Sequence, residues 1–319
     1  MEIVILEGSA VNPGDLSWDA LRAFGTLTVY DNTPQSEMAS RIKNVDAVLL
    51  NKLNFTAELM DEAPRLRYIG ELATGYNNID VAAAHARGIT VCNIPAYSTA
   101  SVVQHTFALL FELCVHAGEH SRGVMEGKWS RADCFCYWDY PLTELAGKTL
   151  GVVGFGQIGQ NVARAALPFG MKVLACAAHP RKESGIEGVE MADFETVLKT
   201  ADVLTLHCPL TAENRELINR DTLARMKPGA FLINTARGGL VCERDVAGAL
   251  RSGRLGGFAA DVLAQEPPRD GSPLFSAPNC VITPHIAWAP IESRRRLIDI
   301  AVENLRAYTN GAPQNEVRK

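Results

Sequence analysis

Short runs that are apolar on both faces punctuate the first third of the chain, at residues 3–6, 27–30, 47–50, 68–70 and 90–92, with stretches of helical spacing between them. A strand with one wet face alternates polar and apolar residues, whereas a continuous β-branched run must be covered on both sides. The pattern therefore predicts a parallel sheet sandwiched between helices. The rhythm breaks near Thr99. From there to Glu119 the residues Val102, Val103, Thr106, Leu109, Leu110, Leu113 and Val115 recur at helical intervals and predict one inward-facing helix. An aromatic segment from Trp129 to Tyr140 follows. A second series of doubly apolar runs then occupies residues 149–153, 172–176, 203–206, 230–233, 257–260 and 280–282, so two separate parallel sheets are expected. The last periodic segment, 291–308, reads as a helix closed by Asn310-Gly311 before a polar tail.

With 319 residues and roughly 150 per domain, two domains account for the length. A hydrophobic share of 47% excludes disorder and coiled coil. Lys and Arg total 31 against 36 Asp and Glu, a net charge of −5 without a dense basic run, which gives no support to a nucleic-acid surface and favours a small-molecule partner. Met1-Glu2 leads straight into a strand, with no basic segment or small-residue cleavage site, so a cytoplasmic protein is expected. The most apolar stretch, 106–115, contains Glu112 and falls short of the ~20 residues of a membrane span. It reads as a buried helix. The eight cysteines lack a CxxC or a histidine at zinc-finger spacing and read as reduced thiols, with Cys134 and Cys136 structural and no metal assigned.

One turn carries specific chemistry. Gly154-Phe155-Gly156-Gln157-Ile158-Gly159 follows a predicted strand and opens a predicted helix, the context a dinucleotide fingerprint needs. The first glycine permits the tight turn, the second lets the backbone approach a pyrophosphate, and the third lets helix pack on strand, while the free amides at the helix start attract the anion.

Beyond that turn, four segments resemble the D-isomer-specific 2-hydroxyacid dehydrogenase family in order and spacing. They are Ala73-Thr74-Gly75-Tyr76-Asn77-Asn78-Ile79-Asp80; Leu206-His207-Cys208-Pro209-Leu210-Thr211; Asn234-Thr235-Ala236-Arg237-Gly238-Gly239-Leu240-Val241; and Asp261-Val262 through Glu266-Pro267 to Thr283-Pro284-His285-Ile286-Ala287-Trp288. Within the family, Ser101-Val102-Val103-Gln104-His105-Thr106 and Cys136-Tyr137-Trp138-Asp139-Tyr140-Pro141-Leu142 resemble the glycerate dehydrogenase (hydroxypyruvate reductase) branch. The resemblance implies an α/β protein of two doubly wound parallel-sheet domains. A Rossmann dinucleotide domain (99–288) would be inserted into a flavodoxin-like substrate domain (1–98 and 289–319). It also implies a homodimer in which the helix after Thr99 and the aromatic segment make the contact. The activity implied is hydride transfer between NAD(P)H and a small 2-keto acid, hydroxypyruvate or glyoxylate, giving D-glycerate or glycolate. Because residue 319 follows soon after the closing helix, the regulatory extension of longer phosphoglycerate dehydrogenases is expected to be absent.

Reduction of a 2-keto acid needs a hydride donor, a cation for the carboxylate and polarised carbonyl, and a proton for the nascent alkoxide. Arg237, just past a predicted strand end, offers a fork that engages two oxygens together. His285 ends another strand and is the best proton donor of the seven histidines. Glu266, hydrogen-bonded to it, would orient the ring and favour the charged imidazole. By resemblance, Asp261 lies beside the nicotinamide amide, and Ala73, Thr74, Gly75, Asn77 and Trp288 contact substrate. Gly154, Gly156, Gln157, Ile158, Gly159, Ala177, His179, Arg181, His207, Pro209, Thr235, Ala236 and His285 contact cofactor, with His207 structural within the adenosine-side loop. His85, His105, His116, His120 and His179 fall on predicted helices or surfaces, where a structural role is the rule.

One position departs from the common pattern. The acidic residue that normally follows the second strand and accepts from the adenosine ribose is absent: residues 172–176 lead into Ala177-Ala178-His179-Pro180-Arg181-Lys182. Without that carboxylate NADP is as admissible as NAD. Two other readings share the fold: a cofactor-sensing corepressor, disfavoured by the charge and the lack of disordered tails, and a formate or phosphonate dehydrogenase, disfavoured because formate-oxidising relatives pair their histidine with Gln where this chain has Glu266.

Overall fold

The computed structural model describes residues 1–179 and 181–318. Its chain separates into two compact units, Met1–Ser98 with Trp288–Lys319, and Thr99–Ala287.

The first unit is built on five parallel strands, β1 (Glu2–Ile5), β2 (Thr26–Val29), β3 (Ala47–Leu50), β4 (Tyr68–Glu71) and β5 (Thr90–Cys92), in the order β2-β1-β3-β4-β5. This is the flavodoxin-like order. Helices α1 (Gly8–Val11), α2 (Met38–Ile42), α3 (Ala57–Asp61) and α4 (Val81–Ala86) connect the strands. Successive side chains of a strand point to opposite faces, so β1 feeds two cores. Ile3 and Ile5 join Leu49 and Tyr68 beneath Leu297, Ala301 and Leu305 of the C-terminal helix Ile291–Thr309. Val4 and Leu6 pack with Val48, Met38, Ile42, Met60 and Ala84 on the other side. The C-terminal helix is fastened by Arg294, which grips Asp15 with two bonds of 2.7 and 2.6 Å and also donates to the carbonyls of Val11 and Ala289. That grip holds the Asp15 carboxyl below its ordinary value.

The second unit has seven parallel strands: β6 (Thr149–Val153), β7 (Lys172–Cys176), β8 (Val189–Met191), β9 (Val203–Leu206), β10 (Ala230–Asn234), β11 (Leu255–Ala260) and β12 (Cys280–Ile282). Their order, β12-β11-β10-β9-β6-β7-β8, is the Rossmann arrangement with one strand added at the edge. Edge strand β8 was not anticipated, because Val189-Glu190-Met191 is too short and too polar at its centre to read as a buried run. Helices α5 (Thr99–Val115) and α7 (Gln157–Ala166) cover one face, while α8 (Phe194–Thr200), α9 (Arg220–Arg225) and α10 (Glu243–Arg251) cover the other. No single helix among the described residues is long and apolar enough to cross a membrane.

The helix expected to run to Glu119 stops at Val115. His116 adopts a left-handed conformation (φ 49°), and α6 (Ala117–Met125) leaves at an angle of 59°. Val115, expected inside, is 42% exposed. The cause is tertiary: Thr143 N–H takes the carbonyl of Cys114, and Tyr140 stacks on the His116 ring with centroids 4.5 Å apart. Helical periodicity could not register either contact.

Gly151 sets the spacing between β6 and α8. A Cβ added there would lie 2.8 Å from both Ala201 Cβ and Val197 Cγ1. Gly151→Ala is expected to destabilise the protein by about 1–3 kcal/mol through overpacking, seen as a lower Tm. An unchanged Tm would show that α8 can slide outward without cost.

Candidate active site

In a parallel sheet all strands deliver their carboxyl ends to one edge, where the ligands of such folds bind. Along that edge of the second unit, in spatial order, the segments following β12, β11, β10, β9, β6 and β7 carry His285, Asp261, Arg237, His207, Gly154 and Ala177. The fold thus aligns residues that the sequence spreads from 154 to 285.

The glycine turn lies where strand order reverses, between β6 and β9. Gly154 has φ +97°, and a Cβ on it would lie 2.4 Å from the Cys208 amide nitrogen. A Cβ on Gly159 would meet the Gly154 carbonyl oxygen at 2.0 Å. These two glycines let turn, helix and the neighbouring loop pack against each other. Gly156 differs: nothing lies within 4 Å of its Cβ position, and as N-cap of α7 it supplies no side-chain acceptor to the first amides of the helix. Two glycines serve packing and one leaves room over an uncapped helix start that begins with Gln157 and Ile158. This arrangement fits a dinucleotide pyrophosphate.

After β9, His207 bonds through Nε2 to Thr205 Oγ1 at 2.9 Å, and desolvation pushes its imidazole down to about 3. It is neutral at physiological pH and cannot serve as a charged proton donor. Pro209 accepts from Asn214 Nδ2, which shapes the same loop. After β10 the buried Asn234 folds the next turn, accepting from the Ala236 amide and donating to the Arg237 carbonyl. Thr235 Oγ1 meets Thr106 Oγ1 of α5 at 3.1 Å. The turn projects Arg237 into solvent, with Nη1 on the Ala236 carbonyl at 2.7 Å. At the end of β7, Ala177 is half-buried and His179, Arg181 and Lys182 are exposed. Pro180 lies outside the described residues.

A short polar contact on this edge joins the loop after β11 to the turn after β12. His285 Nδ1 and Glu266 Oε2 are 2.6 Å apart, with side chains 27% and 35% exposed. Glu266 is itself positioned by the Leu263 amide on its other oxygen, at 3.0 Å. His285 has φ 55°, a left-handed conformation uncommon for a residue other than glycine. Asp261 accounts for it. Only 1% exposed, Asp261 accepts from Thr283 Oγ1 (2.6 Å) and the amides of Ile286 (2.9 Å) and Ala287 (2.7 Å), so its carboxylate grips the turn on both sides of His285. Desolvation opposes its ionisation, but these bonds and one from His105 outweigh it and keep the carboxyl below its ordinary value. His105, on α5, reaches Thr283 Oγ1 at 2.8 Å and Asp261 at 3.4 Å.

Asn234 and Thr283 stand in segments that the sequence singles out, but the sequence assigns no role to either, and His105 reads there as a structural histidine. The signal for His105 was faint: a histidine three residues after an inward Val102 on an otherwise apolar helix. Among the described residues no cluster of three His, Cys, Asp or Glu side chains offers a metal site, and all eight cysteines are free.

In the first unit one turn lies at the carboxyl edge of that unit's own sheet. Residues 73–78 follow β4, with Ala73 buried and Thr74 and Asn77 exposed. Thr74 is pinned by Oγ1 to the Ile94 carbonyl at 2.7 Å, and its own carbonyl accepts from Asn93 Nδ2. The amides of Gly75, Tyr76 and Asn77 have no protein acceptor among the described residues. Trp288 packs on the core of this same unit.

Comparison with known proteins agrees with this geometry. Residues 107–287 match the family described as D-isomer specific 2-hydroxyacid dehydrogenase, NAD binding domain. The hydroxypyruvate reductase of Blautia hydrogenotrophica is 45% identical over 322 residues, covering 100% of both chains. The glycerate dehydrogenase of Methylorubrum extorquens is 42% identical over 287 residues, covering 89% of each. Among solved structures, the TT0316 protein of Thermus thermophilus superposes with a TM-score of 0.86 at 37% identity, over 100% of both chains. An acyclic imino acid reductase in complex with NADPH and D-Arg gives 0.86 at 29% identity, again over 100% of both. On these matches, the chain belongs to the D-isomer specific 2-hydroxyacid dehydrogenase family, oxidoreductases that exchange a hydride between a nicotinamide dinucleotide and a 2-keto or 2-hydroxy acid.

Proposed function

We propose that the enzyme reduces hydroxypyruvate or glyoxylate to D-glycerate or glycolate, with His285 as acid-base group, Glu266 as its partner and Arg237 as substrate cation. The observation that carries this reading is the 2.6 Å His285–Glu266 bond on the sheet edge that also bears the glycine turn. The relatives named hydroxypyruvate reductase and glycerate dehydrogenase support the substrate class.

The bound nicotinamide supplies the hydride, or accepts it in reverse. Held through Nδ1, His285 offers Nε2 to the keto oxygen and gives up a proton as the alkoxide forms; in the oxidative direction it takes the hydroxyl proton. Glu266 stabilises the imidazolium and keeps the ring from rotating. Arg237 binds carboxylate and carbonyl oxygens through its planar fork, concentrating positive charge where negative charge develops. The open amides of residues 75–77 suit a substrate carboxylate, with Ala73, Thr74 and Trp288 alongside. Asp261 has its oxygens engaged within the protein, so in this reading it acts by fixing the turn that bears His285.

His285→Ala is expected to lower kcat about 100-fold or more in NADH oxidation followed by absorbance. Glu266→Gln should fall between wild type and His285→Ala, because a neutral amide can orient the ring but cannot stabilise its charge. Arg237→Lys should raise KM and lower kcat together, since an ammonium cannot reproduce the fork. Near-wild-type turnover in the first variant, or unchanged kcat/KM in the last, contradicts the assignment.

For the cofactor, we infer that NADPH is used at least comparably with NADH. Ala177 offers no carboxylate to repel a 2′-phosphate or to accept from the ribose, and Arg181 and Lys182, a few residues on, are exposed. The imino acid reductase relative carries NADPH. Arg181→Ala should reduce kcat/KM for NADPH more than for NADH, and the difference should shrink at high salt. A strong NADH preference in the wild type is the opposing result.

Tyr137 and Tyr140 turn back onto His120 and His116, whereas Trp129, Phe135 and Trp138 are 52%, 85% and 65% exposed. Such surface is more than a monomer ordinarily leaves in water, and it fits a homodimer contact. Light scattering at micromolar concentration should give twice the chain mass; a monomer refutes the contact. The eight free thiols fit a reducing cytoplasmic location.

A further inference from the structure

Glu71 is the last residue of β4 and is completely buried, at the strand end from which the turn assigned above to the substrate carboxylate departs. Its Oε2 accepts from Asn78 Nδ2 at 3.1 Å, and its Oε1 is buried without a hydrogen-bond partner. Glu71 and Asn78 flank residues 72–77, so their side chains close the turn across its base. Asn78 Nδ2 also reaches the Leu53 carbonyl at 3.1 Å, and the Asn78 carbonyl accepts from Phe55 N–H at 2.8 Å, which ties that base to the segment after β3. Asn51 completes the knot by donating to the Leu72 carbonyl at 2.8 Å. None of this is required by packing alone, since an apolar residue ends a buried strand at lower cost than a carboxyl.

We propose that Glu71 is a positioning residue for substrate, holding the 73–78 turn in its binding shape through the Asn78 side chain. This rests on the reading that the turn takes the substrate carboxylate. The carboxyl does so in its neutral form, because burial pushes it up to about 9. The charged groups that face it are Glu7, after β1, which disfavours its ionisation, and Lys52, after β3, which favours it. Lys52 is exposed and screened, and Glu7 already spends Oε2 on the amides of Asn51, Lys52 and Leu53 at 2.8, 2.8 and 3.1 Å. Once Glu71 ionises, a bare charge sits in a dry site, and the structure relieves it by admitting water at the base of the turn. The turn then loosens, and substrate affinity falls while the chemistry on the other sheet edge is untouched.

The test compares wild type, Glu71→Val and Glu71→Gln at saturating cofactor from pH 7 to pH 10, with hydroxypyruvate and glyoxylate as substrates. Glu71→Val should raise KM about tenfold at neutral pH with little change in kcat. Glu71→Gln, a neutral isostere, should recover the KM and hold it through pH 10, whereas the wild-type KM should climb above about pH 9. Any pH effect shared by both belongs to other groups; the difference between them reads Glu71. A second readout needs no turnover. The folded-state value lies above the ordinary carboxylate value of 4.5, so the folded protein binds one proton more than the unfolded chain between about pH 4.5 and 9. Across that window the folding constant of the wild type should fall by about tenfold per pH unit relative to Glu71→Gln. Identical KM profiles for wild type and Glu71→Gln overturn the positioning role. Parallel stability profiles overturn the neutral buried carboxyl. If the wild type reduced neither keto acid, the proposed substrate would fail instead, and the stability profiles would still decide the state of Glu71.

Discussion

Every strand in both sheets runs the same way, and most of what the protein can do follows from that. Parallel strands end on one edge, so carbonyls and amides that the ladder leaves unpaired collect there and must be satisfied by something other than sheet. Both units use the same solution: a short buried polar side chain set into the strand-end turns. Asp261 and Asn234 do this in the second unit, and Glu7 and Asn51 in the first. The turns that result are rigid without being secondary structure, and the reactive side chains stand on them.

Asp261 shows how far this goes. Burying a carboxylate costs several kcal/mol unless donors surround it. Here the amides of Ile286 and Ala287 and the Thr283 hydroxyl close around it, and His105 adds a fourth approach. The same contacts hold His285 in a left-handed conformation that it would not choose alone, which is how a sparsely populated backbone state persists in a folded protein. The orientation of the His285 ring is thus set twice, from the backbone by Asp261 and from the side chain by Glu266.

The architecture was readable because its signals are local and strong. Doubly apolar runs such as Ala47–Leu50, short and repeated between helical stretches, read as interior parallel strands, and a GxGxxG between strand and helix has few other uses. The failures have a common cause. The break at His116, the short strand Val189–Met191 and the role of His105 are all decided by partners remote in sequence: Tyr140 for the first, β7 for the second, Thr283 and Asp261 for the third. Glu71 is the clearest case. A glutamate after Tyr68-Ile69-Gly70 reads as the point where a strand leaves the core, and nothing local says that Asn78 returns to receive it.

The manner in which the first unit is closed bears on how the polypeptide is made. Its sheet is covered on one face by a helix that begins at Ile291 and is anchored to Asp15. A ribosome adding roughly 5–20 residues per second needs on the order of 10–40 s to pass from the end of residues 1–98 to that helix. During that interval Ile3, Ile5, Leu49 and Tyr68 lack Leu297, Ala301 and Leu305 and keep only the cover that residues 1–98 supply, Val11, Trp18 and Leu21 among it, while the contiguous second unit, which ends at Ala287, is completed before that helix is. The order of assembly is therefore inverted with respect to the order of synthesis, and the apolar face of an unfinished sheet is the surface that cellular folding helpers meet first.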